Sequence, residues 1–358
     1  MVKVIQPRKL YPRRIFFVAT VIILYTIYTY TRDAPGPKNP TWMGHTMGTT
    51  YSIKIANSSL GQSALKQLQR DIDSYLVKIN KQMSTYSPNS EISQFNKSTL
   101  TEPVTISEPF AEVIRFALDL SQQTDGAFDL TVDPLIDLWG FGVNQHKSPP
   151  EDEQISEVQK SVGYQHVALM GEIRLQKDIP ALRLNLNAIA KGFAVDVVAQ
   201  LIRSKGETNY LVEMGGELVA SGQNFDQQLW KVGVDLPDRK NSTRAIKGVV
   251  YLNNAALATS GDYRNYRELA DGKIYTHILD PRTGRPLEHR LASVSVLAET
   301  CMRADGLATA LCVMGPSRGL MWIENDKHAE ALFIVREKDG SYTEKMSSGF
   351  EKRTSYQE

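Results

Sequence analysis

The sequence predicts an α+β protein, a single domain with a mainly antiparallel sheet and flanking helices. Two observations carry this reading. Between residues 167 and 260, β-rich apolar runs follow one another with short breaks, which suits antiparallel pairing better than a regular βαβ alternation. On either side stand longer runs with apolar residues near helical spacing, chiefly 60–83 and 302–314. Composition agrees: 42% hydrophobic and 23% charged residues exclude disorder, collagen and coiled coil. A formal net charge of +1 speaks against a nucleic-acid binder, and two cysteines exclude both a disulfide framework and a Cys-rich zinc module.

Read in order, the first 32 residues hold six basic side chains (Lys3, Arg8, Lys9, Arg13, Arg14, Arg32) and no acid, so the rest is net acidic. An uncharged run, IFFVATVIILYTIYTY, follows Arg14 directly. It predicts a basic cytoplasmic tail at 1–14, a transmembrane anchor at 15–31 and an exported remainder. A cleaved signal peptide is the rival reading, though no small-x-small site follows. Residues 32–41 are Pro-rich and read as a linker, 42–350 as the domain and 351–358 as a tail. Within the domain the pattern predicts a strand at 46–56, then helices at 60–83, 110–123, 133–139 and 151–162. Strands follow at 167–170, 173–176 and 182–186, and a helix at 188–203. Further strands are expected at 210–214, 217–221, 230–235, 247–252, 256–260, 274–278 and 292–297. Helices at 302–314 and 317–325 and a closing strand at 331–336 complete the series.

Several segments carry chemistry. Gly126-Ala127-Phe128-Asp129 is a Gly-led turn where backbone can approach a ligand and Phe128 or Trp139 can stack on a flat ring; taken alone, these residues read first as an ordinary turn with core aromatics. AIAKG at 188–192 opens a helix, whose free N–H groups suit phosphate, with Lys191 adding a cation. EMGGE at 213–217 brings two carboxylates to a Gly-Gly turn. Asp305 and Thr309 stand at i and i+4, so a helix presents both oxygens on one face, a hard-oxygen pair fit for Mg²⁺. Cys301 and Cys312 lie too far apart along that helix for a disulfide and read as free thiols. His277, just before the tight turn DPRTG, is a candidate general base or a structural histidine.

Eight segments in this order, MGTTY, STYSPNSEISQFN, GAFDLTVDPLIDLWGFG, NLNAIAKGFAVD, EMGGELVASG, ATSGDY, YTHILDPRTGRP and ADGLATALCVMG, resemble the ApbE family of FAD:protein FMN transferases. The resemblance implies a T-fold-like domain holding FAD in a central cleft with Mg²⁺ at its pyrophosphate. It implies FAD contacts at Met47, Tyr86, Ala127, Phe128, Asp129, Asn185, Lys191 and Ile278. It implies metal ligation by Asp305, Thr309 and the Ala188 carbonyl, with His277 serving the chemistry. Many relatives carry Asp where this chain has Asn185. The reaction implied is attack by an acceptor Ser/Thr hydroxyl on the flavin-side phosphorus, with AMP leaving. Implied acceptors carry a motif ending Ser/Thr-Gly/Ala-Ala-Thr and belong to membrane redox complexes such as the Na⁺-translocating NADH:quinone oxidoreductase. The implied location is the bacterial inner membrane with the catalytic domain in the periplasm. An FAD pyrophosphatase, or a non-catalytic flavin carrier, are the alternatives the same segments leave open.

Overall fold

Strands whose side chains are buried on both faces organise the molecule. In the computed structural model, which describes residues 17, 19–25, 34–142, 148–237, 245–263, 266–268 and 273–357, all eight residues of Leu291–Ala298 are buried. Alternate residues of this strand serve two different cores: Val294 and Val296 on one face, Leu297 on the other. That is the period of two expected of a pleated strand sandwiched between layers.

In chain order the strands are β1 (Thr41–Thr46), β2 (Thr49–Ile55), β3 (Val104–Thr105), β4 (Val167–Met170), β5 (Arg174–Lys177), β6 (Tyr210–Met214), β7 (Glu217–Ser221), β8 (Trp230–Asp235) and β9 (Ile246–Leu252). They continue with β10 (Ala255–Gly261), β11 (Tyr266–Glu268), β12 (Ile274–Thr276), β13 (Leu279–Asp280), β14 (Arg285–Pro286), β15 (Leu291–Ala298), β16 (Glu330–Arg336) and β17 (Tyr342–Met346). The helices are α1 (Gln62–Met83), α2 (Glu91–Lys97), α3 (Glu108–Gln123), α4 (Asp133–Leu138), α5 (Asp152–Gln159), α6 (Ala190–Ser204), α7 (Cys301–Ile323) and α8 (Phe350–Thr354). An eight-stranded sheet runs β1-β2-β6-β7-β10-β15-β16-β17, antiparallel throughout. Helices α1, α3, α6 and α7 bury their apolar stripes on one face. The β8–β9 ribbon and α8 cover the other, around Trp230, Leu252, Phe350 and Tyr356.

Most expected elements are present, and the departures have local causes. The strand expected at 46–56 is the second arm of a hairpin: Met47 and Gly48, both at positive φ, turn the chain between β1 and β2. Residues 182–186 form no strand, because their backbone is claimed piecemeal. Asn96 bonds both N–H and carbonyl of Leu184, Leu130 O accepts from Asn185 N, and Lys177 Nζ donates to Leu182 O. The run 274–278 is cut after Thr276, and β13 starts at Leu279. The expected closing strand at 331–336 is followed by another, β17, and by α8. The helix α2, unexpected from the sequence, is started by Ser90, whose side chain accepts from Ser93 N.

The segments at either end of the expected domain, 34–40 and Gln357, lie against this body. Residues 34–40, expected as linker, are tied down by Ser58 N to Lys38 O, Ile55 N to Pro40 O and Gln62 N to Ala34 O. Gln357, in the expected tail, bridges to Val249. Of the expected anchor, residues 19–25 are helical and exposed; most of 15–31 and all of the basic tail lie outside the described residues. Among the described residues no helix is long and apolar enough to cross a membrane, so they do not support the expected spanning helix.

Candidate active site

Two helices that approach unusually closely build the floor of the site. Gly192 in the first turn of α6 leaves no room for a side chain: a Cβ there would lie 2.4 Å from Cys301 O and 2.7 Å from Met302 Cα. The contact lets the Gly192 N–H donate to Asp305 Oδ2 at 3.1 Å. The start of α7 is fixed further by Thr300, which accepts from Arg303 N, and by Asp196, whose carboxylate accepts from Cys301 N and Met302 N at 2.8 Å each. These partners serve N–H groups that a helix start leaves free. One turn on, Thr309 lines the same cavity as Asp305, as the i, i+4 spacing requires. Its Oγ1 lies 3.2 Å from Ser260 Oγ at the end of β10.

The cavity has a volume of about 350 Å³. It brings together Asp305 and Thr309 of α7, Ala188 and Lys191 at the start of α6, and Asn185 before them. From the turn after α3 come Ala127, Phe128 and Asp129, and from the segment between β12 and β13 come His277 and Ile278. Tyr86, 67% exposed, stands at the rim. Met47 does not line this cavity. It lines an adjoining one of about 410 Å³ that shares Tyr86 and Lys191 with it. Eleven of the twelve residues expected from the sequence therefore share one cavity, and the twelfth borders it.

Charge is concentrated where solvent is scarce. Asp305 is 3% exposed and Glu217, the first residue of β7, also 3%. Lys191 Nζ lies 2.6 Å from Glu217 Oε2. Burial raises the pKa of Asp305 above the usual carboxylate value; Lys191 opposes the shift, Glu217 adds to it and the Gly192 N–H opposes it. Burial also works against the charge of Lys191, but the carboxylates of Asp305 and Glu217 outweigh it and hold its pKa above normal. A buried carboxylate in the company of a hydroxyl suits a hard cation, which would relieve the cost of desolvation. The chemistry of Asp305 and Thr309 thus fits the implied Mg²⁺, and Ala188, the third expected ligand, lines the same cavity.

Two expected contacts prove to be engaged within the protein. Asp129 Oδ1 accepts from the backbone and hydroxyl of Thr131, and Oδ2 from Tyr164 N, so its carboxylate shapes the cavity wall. Burial raises its pKa against these hydrogen bonds. Asn185 Nδ2 donates to Asp133 Oδ1 at 2.9 Å, and its Oδ1 accepts from Asn187 N. Asp133 is in turn paired with Arg183 at 3.0 Å. An aspartate at 185 would face the Asp133 carboxylate, whereas asparagine supplies it with a donor. Sequence reasoning did not assign Glu217, Thr259, Ser260 and Phe141 to the site, though all line it. Glu217, Thr259 and Ser260 sit in the EMGGE and ATSGDY segments, which carried the signal without a role. Phe141 meets the His277 ring edge-on at 6.5 Å between centroids.

Comparison with known proteins agrees with this fold. The ApbE family pattern matches residues 47–333. A Vibrio cholerae protein named FAD:protein FMN transferase is 44% identical over 86% of this chain and 90% of its own length. Its Escherichia coli K12 namesake is 36% identical over 86% and 87%. Among solved structures, the flavin transferase ApbE of Vibrio cholerae superposes with a TM-score of 0.79 at 41% identity, covering 88% of this chain and 98% of its own. The apo flavinyl transferase ApbE of Pseudomonas stutzeri gives 0.79 at 38% identity, covering 88% and 96%. The cavity-lining segments lie within the matched region, and the chain belongs to the ApbE family of transferases.

Proposed function

We propose that this protein transfers the FMN moiety of FAD to a Ser or Thr hydroxyl of an acceptor protein and releases AMP. The observation that carries the reading is the convergence of a buried carboxylate, a hydroxyl, a lysine and a histidine on one cavity walled by apolar and aromatic side chains. A pyrophosphate needs the first three; a flavin ring suits the walls. When bound at Asp305, Thr309 and the Ala188 carbonyl, Mg²⁺ supplies Lewis-acid stabilisation of pyrophosphate charge.

The chain's own residues account for the rest. Lys191 holds phosphate oxygens; the N–H groups expected to do so at the start of α6 are engaged within the protein, Ala190 N donating to Leu186 O and Gly192 N to Asp305 Oδ2. Phe128 and Ile278, both nearly buried, and Tyr86 at the rim confine the flavin. The acceptor oxygen forms a bond to the flavin-side phosphorus, the bond from that phosphorus to the oxygen bridging to AMP breaks, and His277 takes the hydroxyl proton. FMN stays on the acceptor as a phosphoester, and AMP departs with the bridging oxygen.

The proposed acceptor carries a Ser/Thr-Gly/Ala-Ala-Thr motif and belongs to a membrane redox complex. The basic residues before the run at 15–30 support an anchor with the domain exported to the periplasm. Incubation with FAD, Mg²⁺ and an acceptor fragment tests the reaction. Equal amounts of AMP and flavin-labelled acceptor are expected. AMP without labelling makes the protein a pyrophosphatase, and intact FAD after long incubation makes it a carrier.

A further inference from the structure

Lys191 stands between two buried carboxylates yet is paired with only one. Among the described residues its ion pair is to Glu217 at 2.6 Å, and none joins it to Asp305, although Asp305 is near enough to act on its charge. The hairpin carrying Glu217 is built to hold that carboxylate in place. Gly215 takes φ +64°, and a Cβ there would fall 2.9 Å from Thr49 Cγ2. Glu213 Oε1 accepts from Gly216 N at 2.8 Å, fixing the turn from within. Glu217 then opens β7, paired with Met214 and 3% exposed. Lys191 is the one basic side chain paired with it among the described residues.

From this we infer that Glu217 is a positioning residue: it draws the Lys191 ammonium away from Asp305, leaving the Asp305 carboxylate open to a divalent cation and the ammonium facing the anionic substrate. A lysine and a metal compete for the same carboxylate. In a buried site the competition is strong, because the charges attract across little screening. The inference rests on the proposed role of Asp305 as a metal ligand and adds the residue that keeps it available.

Titration of the full-length, FAD-free protein with Mn²⁺ alone, followed by electron paramagnetic resonance, tests it. In Glu217→Gln, Lys191 is free to pair with Asp305, and Mn²⁺ should bind about tenfold more weakly than in wild type, the weight of one modest charge interaction. Lys191→Met should bind Mn²⁺ more tightly than wild type, and the double variant should recover the affinity lost in Glu217→Gln. Equal binding by Glu217→Gln and wild type overturns the inference while leaving the metal site intact. So does a double variant as weak as Glu217→Gln, since the loss is then a general distortion. If Glu217→Gln does not fold, Lys191→Met decides: unchanged or weaker binding overturns the inference. Wild type that binds no Mn²⁺ removes the metal assignment, and the inference with it.

Discussion

The two faces of the central sheet are both dry, but they use burial differently. The face under β8–β9 and α8 is closed by apolar and aromatic groups such as Leu257, Leu332, Trp230 and Phe350. The face under α6 and α7 is just as apolar at its centre, yet Asp305, Glu217, Asn185 and Asp129 are buried at its edge. Buried carboxylates are costly unless each has a partner. On this face the partners are a helix N–H for Asp305, a lysine for Glu217 and the Thr131 turn for Asp129, while Asn185 donates to Asp133. One face therefore holds the fold, and the other spends part of its stability on a site that a substrate and a cation complete.

Four substitutions or conditions separate the faces. The largest effect is expected from Asp305→Ala, which should lower flavin transfer by on the order of 10³-fold, the scale for losing one preorganised electrostatic group. Covalent flavin fluorescence of the acceptor on a gel reads it, and thermal melting should stay near wild type because a buried charge is removed. On the opposite face, Phe350→Ala should cost about 3–5 kcal/mol in a denaturant titration, with activity per folded molecule unchanged. A loss of activity in folded Phe350→Ala would show that the faces are not separable.

Gly192→Ala joins the two effects. Its Cβ meets Cys301 O at 2.4 Å, so α6 and α7 must separate. Overpacking of that kind costs about 1–3 kcal/mol. Here both stability and transfer should fall, measured on the same sample. Undiminished transfer would deny that the close approach sets the Asp305 geometry.

The smallest effect is a pH dependence. Inside α7, Gly315 at φ +76° and Pro316 break the helix, and Pro316 has no N–H for Cys312 O. His289 Nε2 donates to that carbonyl at 2.7 Å, and its Nδ1 accepts from Leu291 N. Both ring nitrogens are thus used by the neutral form, and burial lowers the pKa below 6.5. A base depressed in the folded state contributes stability that is present above its unfolded value and lost as pH falls through its folded value. Melting temperatures should decline below about pH 6.5, and His289→Gln should lack this component. An identical acid profile in the variant would remove His289 from the account.

The legibility of the sequence differed between the same two regions. Asp305 and Thr309 were readable because helical spacing alone puts them on one face, and Gly192 fell in a segment marked by its residues. The convergence of eight distant segments came from the resemblance, since spacing along the chain does not say which turns meet. Glu217 was visible as an odd carboxylate in a Gly-Gly turn, but its partner Lys191 lies on another element and only the fold joins them. The strand expected at 182–186 failed because alternation cannot reveal that Asn96 and Lys177 take its backbone groups. Strand β17 was missed because alternate exposure at a sheet edge leaves a weak apolar signal. The covering ribbon of the second face was read correctly as strands, but not which face it covers.

Mass spectrometry of an acceptor protein incubated with FAD and Mg²⁺ tests the central claim most directly. With the wild-type protein the acceptor should gain the mass of one FMN phosphoester on the motif's Ser or Thr, and with Asp305→Ala the labelled fraction at early times should fall by on the order of 10³-fold. An acceptor left unmodified by the folded wild-type protein, or modified equally by both, would contradict the assignment of this cavity as the site of flavin transfer.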